Sequence, residues 1–296
     1  MLSYKTAGTP EGGREGMLEK TRGVPNQEDA SCRRGRLAVF LTALCLLTPA
    51  LGVLRDARGQ AEQEGGGTRE LFEAAIDAMG GQAYLDVKDI TSDGQSFFFN
   101  NRGESSGLIK FTDYTKLPDK SRFELGNKKK EREVTVFDLE KGEGWILEGD
   151  GEAKPATPDD MRDFRAAADH SIDNIFHFRW KDPQNKLFYL GPGKGADVAY
   201  DMVQMLDPVN DEVVVYFDRA SKLPAKIESW RINERGIKVR DTDEYSQWHR
   251  IQGVLTPLRI DSYTNGRRRA QQFFLKVAYN SGIKDDFFSK PVYKKK

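Results

Sequence analysis

Short segments in which apolar and polar residues alternate recur between residues 95 and 279, and they predict a β-rich fold. Turn-forming pairs such as Asn210-Asp211, Gln252-Gly253 and Asn265-Gly266 separate them at intervals that suit hairpins. This spacing favours antiparallel meanders over βαβ units, in which strands alternate with helices. The predicted strands are 95–99, 108–114, 121–125, 134–139, 145–147, 187–190, 198–206, a hairpin over 213–230, and 237–239, 245–251, 254–263 and 271–279.

The hairpin over 213–230 is the clearest of these elements and is predicted to lie at the centre of the sheet. Its first strand, 213–217, is so rich in β-branched and aromatic residues that both of its faces must be covered. Asp218 opens the turn, because its side chain can accept hydrogen bonds from the next backbone N–H groups. Pro224 then fixes the backbone where the return strand begins, and that strand alternates apolar and polar residues.

Two segments have helical periodicity instead. The first, 69–79, is predicted to begin at Thr68 as N-cap and to stop at Gly80-Gly81. The second begins at Thr157-Pro158, with acidic residues in its first turn, and its apolar face extends to about residue 178. Three apolar residues of this second helix are candidate lid residues: Phe164, Ile172 and Phe176.

Two amphipathic helices and at least ten antiparallel strands do not form a simple sandwich. We therefore predict an α+β fold, mainly antiparallel β, in which an unclosed half-barrel has helices packed on its concave face. The predicted division of the chain is an N-terminal extension with a basic n-region at 1–36, a signal segment at 37–61, a tether at 62–67, the half-barrel domain at 68–291 and a tail at 292–296.

The N-terminal segment indicates export. Three arginines precede eighteen residues without a charge, 37–54, and small residues follow, as in a secretory signal peptide. Cleavage after Ala61 or after Gly52 would both suit the small residues there. An uncleaved anchor in the inner membrane is the alternative, since eighteen residues is close to the length that spans a bilayer. Leu44 stands where a lipid-attachment site at Cys45 needs a small residue, so we expect no lipidation, and translation could begin at Met17.

Charge and cysteine content exclude several kinds of function. The chain has 46 Lys/Arg and 46 Asp/Glu, but residues 62–296 carry 37 and 40, a mildly acidic balance that argues against nucleic acid as a partner. Both cysteines, Cys32 and Cys45, precede this part, so it has no disulfide framework, thiolate nucleophile or cysteine metal site.

The residues that could carry chemistry lack the partners that chemistry needs. His170 and His177 are too far apart for one metal ion and are interpreted as surface or lid residues, and His249 has no neighbouring acid and nucleophile pattern. The glycine-rich segment 191–195 is interpreted as a loop. Asp241, Asp243 and Glu244 are interpreted as the solvated face of a strand. We therefore predict no catalytic residue, no metal site and no cofactor.

Two other features suggest binding. Residues 267–269 are three arginines after a turn, which could be a solvated tip or could contact lipid headgroups or an acidic partner. Consecutive phenylalanines at 97–99 and 273–274 make both faces of their strands apolar, as a barrel core or a lipid-sized cavity requires. The candidates for the lining of such a cavity are Phe97, Phe99, Phe123, Trp145, Trp230 and Phe274.

The order of these motifs resembles the LolA/LolB-type lipoprotein-carrier superfamily, in particular its periplasmic outer membrane lipoprotein-sorting members. Segment 118–124, with Pro118, Arg122 and Phe123, is similar to the family's entry into a strand. Segments 134–138 with Gly144-Trp145, and 215–227, resemble its paired strands and central hairpin. The family's later hairpin resembles the segment with Tyr245, Gly253-Val254, Pro257 and Ile260. Its closing segment resembles the one with Val277, Asn280, Ile283, Asp285 and Phe288.

The resemblance covers about residues 69–291 and implies a half-barrel with a helical lid and an apolar hollow for acyl chains. We therefore expect an exported, periplasmic, monomeric and non-catalytic carrier of an acyl chain or a lipidated protein, with a possible partner in the inner or outer membrane. No residue matches a functional position of the sorting carriers, so none is transferred. A module of the same fold that binds a protein without lipid is the alternative.

Overall fold

The computed structural model describes residues 66–195, 198–232 and 236–292. The predicted n-region and signal segment, most of the tether and all but the first residue of the tail lie outside the described residues. The helices are α1 (Gly66–Met79), α2 (Gln82–Leu85), α3 (Pro158–Asp169) and α4 (Ile172–His177), and 3-10 turns lie at Lys129–Glu131, Arg179–Lys181 and Asp285–Phe288.

The strands of the described residues form one antiparallel sheet in the order β6-β5-β4-β3-β2-β1-β13-β12-β11-β10-β9-β8-β7. Because β6 and β7 are separate edges, the sheet does not close, and the predicted unclosed half-barrel is confirmed. The strands are β1 (Asp89–Phe98), β2 (Ile109–Lys116), β3 (Lys120–Leu125), β4 (Glu133–Asp138), β5 (Glu143–Glu148), β6 (Lys154–Pro155), β7 (Lys186–Lys194), β8 (Ala199–Leu206), β9 (Glu212–Asp218), β10 (Pro224–Ile232), β11 (Lys238–Ile251), β12 (Val254–Thr264) and β13 (Arg267–Tyr279).

The predicted central hairpin is confirmed as β9 and β10. Asp218 Oδ1 accepts hydrogen bonds from the backbone N–H groups of Ala220 and Ser221 at 2.7 and 2.9 Å, and Lys222 takes a positive φ of 64°. Val213, Val214 and Val215 are at most 4% exposed, which means that both faces of β9 are covered.

The main hydrophobic core joins the helices to one face of the sheet, which we call the inner face. Phe72 of α1 is fully buried, and its ring centroid lies 5.2 Å from that of Phe176 of α4 and 5.1 Å from that of Phe217 of β9. The ring of Trp180 stacks on that of Phe72 with centroids 5.6 Å apart. Helix α3 packs on the inner face near the other edge of the sheet, where Phe164 stacks on Phe137 of β4 with ring centroids 4.4 Å apart.

A second, smaller core lies on the opposite, outer face. Val134, Val136 and Leu147 pack there against Phe288 of the C-terminal 3-10 turn. The carboxylate of Asp89 fixes the start of this C-terminal segment, because it accepts backbone N–H groups of residues 281, 282 and 283. The helices and the C-terminal segment therefore cover opposite faces of the sheet.

Several predicted boundaries are wrong. Helix α1 begins at Gly66, so Thr68 lies within it and is not its N-cap. The second predicted helix is divided: His170 ends α3, and Ser171 caps α4 by accepting the N–H of Asn174. Residues 238–239 of the predicted strand 237–239 and the predicted strand 245–251 belong to one strand, β11. Segment 191–194 pairs with β8 as part of β7 instead of forming a loop.

Of the two interpretations of the histidines, as surface or as lid residues, the surface alternative is wrong for His177. His177 is only 4% exposed, and its two ring nitrogens lie 2.9 Å from the carbonyl oxygens of Asp173 and Tyr84, so it joins α4 to α2. His170 is held by the carboxylate of Asp211, whose oxygens lie 2.8 and 3.0 Å from Nε2. Both side chains fix helices to their surroundings.

Asp211 links the β8–β9 loop to His170 and Arg179. Burial alone raises the pKa of the Asp211 carboxyl, but the hydrogen bonds and positive charges of His170 and Arg179 outweigh this effect, and the net pKa is lowered. The ion pair with Arg179 has an N–O distance of 3.3 Å. This contact therefore stabilises the junction between α3, α4 and the sheet when Asp211 is ionised.

We predict that Asp211→Asn lowers the free energy of unfolding at pH 7 by roughly 1–3 kcal/mol, since it removes hydrogen bonds to charged groups. A carboxyl group with a lowered pKa contributes stability above its ordinary pKa of about 4 and loses it as the pH falls further. The difference between the variant and the original chain should thus shrink below about pH 4. Urea unfolding at pH 7, 5 and 3.5 measures it.

Asp286→Asn is the matched control, because Asp286 is exposed and its carboxylate makes no hydrogen bond or ion pair with the described residues. It should change the free energy of unfolding by less than about 0.5 kcal/mol. A loss for Asp211→Asn that is the same at pH 3.5 and pH 7 would contradict the electrostatic explanation.

Candidate functional site on the inner face

A row of aromatic side chains crosses the inner face away from the main core. Phe123 of β3 stacks on Phe111 of β2 with ring centroids 5.5 Å apart, and Phe111 meets Phe274 of β13 edge-on at 5.4 Å. Strand β1 lies between β2 and β13, and its residue at this level is Gly94, which pairs with both Phe111 and Phe274. We call Phe111, Phe123 and Phe274 the inner aromatic row.

Gly94 makes this row possible. A Cβ atom at position 94 would lie 2.3 Å from Cζ of Phe111 and 2.4 Å from the carbonyl oxygen of Phe273. The absence of a side chain lets the two rings on the neighbouring strands meet over β1. A glycine within a strand pattern is the sequence signal that marks such a close approach.

A bulge in β13 determines which residues belong to this face. Residues 93 and 94 of β1 pair with residues 276 and 274, so Leu275 is the extra residue. Beyond the bulge, Phe274 and Gln272 face inward, while Phe273 faces outward under the guanidinium of Arg259. Leu275 itself is 63% exposed.

The structure divides the predicted cavity residues between the two faces. Phe123 and Phe274 lie in the inner aromatic row, together with Phe111, which sequence reasoning did not nominate. Four others lie on or next to the outer face: Phe97 against Phe273, Phe99 beneath Arg268, Trp145 in the smaller core with Lys290 above it, and Trp230 beneath Lys238.

The three candidate lid residues all face the sheet. Phe164 stacks on Phe137, Phe176 is fully buried beside Phe72, and Ile172 is partly buried against the main core. Of this set, Phe164 covers β4, next to the strand that carries Phe123. The helical segment 158–177 therefore covers two regions of the inner face, one at β4 and one at the main core.

Polar side chains accompany the aromatic row. Asp113 pairs with Phe123 and shares its face, and burial raises the pKa of the Asp113 carboxyl to about 6. Ser96 and Thr135 also point to this face, and their hydroxyl oxygens are buried without a hydrogen-bond partner in the described ranges. These groups could bind the polar part of a ligand whose apolar part contacts the rings.

Two of the three acidic residues 241, 243 and 244 lie on the inner face instead of a solvated one. Asp243 pairs with Ile227 of the main core and accepts a hydrogen bond from Ser262 Oγ at 2.5 Å. Burial raises the pKa of its carboxyl. Asp241 accepts a hydrogen bond from Thr264 Oγ1 at 2.6 Å. Glu244, the third acidic residue, is exposed. No group of three or more metal-ligating side chains is found among the described residues.

The fold places the chain in the class of open antiparallel half-barrels with helices on the inner face. A LolA superfamily protein of Nitrosomonas europaea has a similar structure, with a TM-score of 0.51 and 12% identity over 75% of this chain and 97% of its own. A DUF1329 family protein of Desulfovibrio piger ATCC 29098 gives a TM-score of 0.52 and 11% identity over the same shares. The chain thus has the LolA-type fold, as its motifs predict.

No protein-family model matches the chain, and no curated protein matches it either. The similarity therefore establishes the fold, and the site has to be interpreted from its own residues. None of the helices in the described ranges has both the length and the apolar character needed to cross a bilayer.

We predict that Gly94→Ala lowers the free energy of unfolding by about 1–3 kcal/mol, because the new methyl group overlaps Phe111 and the backbone of β13. Gly67→Ala is the control, since nothing lies within 4 Å of a Cβ there and the residue is helical. Urea unfolding compares them. If both variants are as stable as the original chain, the rings do not meet over Gly94.

Proposed function

We propose that the protein is an exported carrier that holds an acyl chain, of a lipid or of a lipidated protein, on the inner face of the half-barrel. The observation that carries this proposal is the inner aromatic row, three rings on the same face as the helices, of which Phe111 and Phe123 are buried and Phe274 is half-buried. Removing apolar area from water at roughly 25 cal/mol per Å² would supply the binding free energy.

The polar groups on the same face support a ligand with an apolar and a polar part. A buried hydroxyl without a partner is unfavourable by roughly 1–3 kcal/mol, so the hydroxyls of Ser96 and Thr135 would gain from a ligand carbonyl or carboxyl oxygen. The carboxyl of Asp113, protonated in part near pH 6, could bind such an oxygen as a donor.

The lid and the location complete the proposal. Release would follow movement of helices α3 and α4, which carry Phe164, Ile172 and Phe176. The apolar run 37–54 would direct the chain to the periplasm as a signal peptide, or hold it at the inner membrane with the domain in the periplasm. Binding would need neither a cofactor nor a covalent step.

The sequence supplies a matched pair for testing this function. Phe273 and Phe274 are neighbours on β13 and are both half-buried, but they face opposite sides of the sheet. We predict that Phe274→Ala weakens the binding of a fluorescent fatty acid to delipidated protein about tenfold, which corresponds to the loss of roughly 60 Å² of apolar contact. Phe273→Ala should leave the dissociation constant within about twofold.

Titration of the fluorescent probe measures both variants. Equal loss in both would contradict binding at the inner face. Absence of uptake by the original chain, together with co-purification of another envelope protein, would favour the protein-binding alternative.

A further inference from the structure

One end of the half-barrel gathers four hairpin ends that are contiguous in the sheet. Phe99 N–H bonds to Arg269 O, Asn127 Nδ2 bonds to Leu108 O, and Asn265 N–H bonds to Arg240 O, so the corresponding loops lie side by side. We define the basic rim as residues 99–108, 126–132, 236–240 and 264–269, at the ends of strands β4 through β10 in sheet order.

The basic rim has a charge opposite to that of the rest of the domain. Its residues include ten Lys/Arg and two Asp/Glu, whereas residues 62–296 as a whole carry 37 and 40. Some of these cations are paired, such as Arg132 with Glu124 and Arg268 with Asp261. Arg102, Lys130 and Arg267 are exposed and make no ion pair within the part of the chain that the structure describes.

Exposed aliphatic side chains stand among these cations. Leu108 is 42% exposed and Ile237 is 55% exposed, and Ile232, at the neighbouring end of β10, is 58% exposed. The loops on either side of the rim are acidic, with Asp150 and Glu152 after β5 and Asp207 and Asp211 before β9. Acidic loops therefore bound the basic and apolar surface on both sides.

We propose that the basic rim docks the half-barrel on an anionic phospholipid bilayer. Clustered Lys and Arg are attracted to negatively charged headgroups, and aliphatic side chains between them can enter the interface. Protruding leucine and isoleucine have no favourable role against a phosphate backbone, which argues against nucleic acid. The charge of the rim is complementary to an anionic bilayer, while the net charge of the domain is not.

The position of the rim fits a route between the bilayer and the inner face. Ile109 and Leu125 share the inner face with the aromatic row. They are the sequence neighbours of Leu108 and Gly126, which belong to the rim. On β11, β12 and β13 the main core extends from the middle of the strands, at Tyr245 and Ile260, to the opposite end, at Ile251, Val254 and Tyr279. Docking itself does not depend on what the inner face binds.

Vesicle binding of the full chain tests this proposal. The apolar run 37–54 could bind any bilayer, so the quantity to measure is the ratio of binding to phosphatidylglycerol-containing and to pure phosphatidylcholine vesicles. One basic residue near an anionic surface contributes about fivefold to binding. The triple variant Arg102→Gln, Lys130→Gln, Arg267→Gln should lower the ratio on the order of a hundredfold, and 1 M salt should lower it for the original chain.

The matched control removes three exposed lysines from the other end of the strands: Lys88→Gln, Lys222→Gln and Lys284→Gln. It should leave the ratio unchanged, and circular dichroism should show that both triple variants fold. An equal decrease in both, or none in the rim variant, would overturn the proposal. Rim-dependent binding to polyglutamate without a preference for anionic vesicles would assign the rim to an acidic protein and also overturn it.

Discussion

The packing of α1 and α4 against β7 to β10 is the interaction on which the rest of the structure depends. Phe72 is enclosed by Phe176, Trp180 and Phe217, and together they bury the inner face of that half of the sheet. An open sheet needs such a partner, because its inner face would otherwise expose the apolar side of every strand. The same helices cannot cover all thirteen strands, and α3 covers only the region of β4 and β5.

The inner aromatic row lies between these two helical contacts, and this position is one reason why we propose it as the ligand site. It is built across four strands around a glycine, and it shares its face with a carboxyl group of raised pKa and with hydroxyls that lack partners. A purely structural core would favour apolar neighbours at such positions, since buried polar groups without partners are unfavourable. The proposed amphipathic ligand would account for both the rings and the polar groups.

The sequence was sufficient for local structure and for the fold. The turn at Asp218 and the start of α3 at Thr157-Pro158 depend on residues close together in the chain, and both form as predicted. The motif order also indicated the LolA-type half-barrel. The division of helix 158–178 was missed, although Ser171 is a good N-cap within it.

The faces of the aromatic residues could not be predicted from the sequence. Consecutive phenylalanines at 97–99 and 273–274 are compatible with either face, and the choice depends on pairing between distant strands. The bulge at Leu275 reverses the alternation within β13, so Phe274 faces inward where a regular strand would turn Phe273 inward. Trp145 and Trp230 also face outward. Strand register, and not residue type, determines the face on which each of them lies.

Photo-crosslinking with a fatty acid that carries a diazirine near the end of its chain tests the central claim most directly. Peptide mass spectrometry of the labelled protein identifies the residues that contact the acyl chain. Labelling at the inner aromatic row, within segments 109–116, 120–125 and 270–274, is the predicted result. Labelling confined to outer-face residues such as Phe97 and Trp230, or none at all, would contradict it.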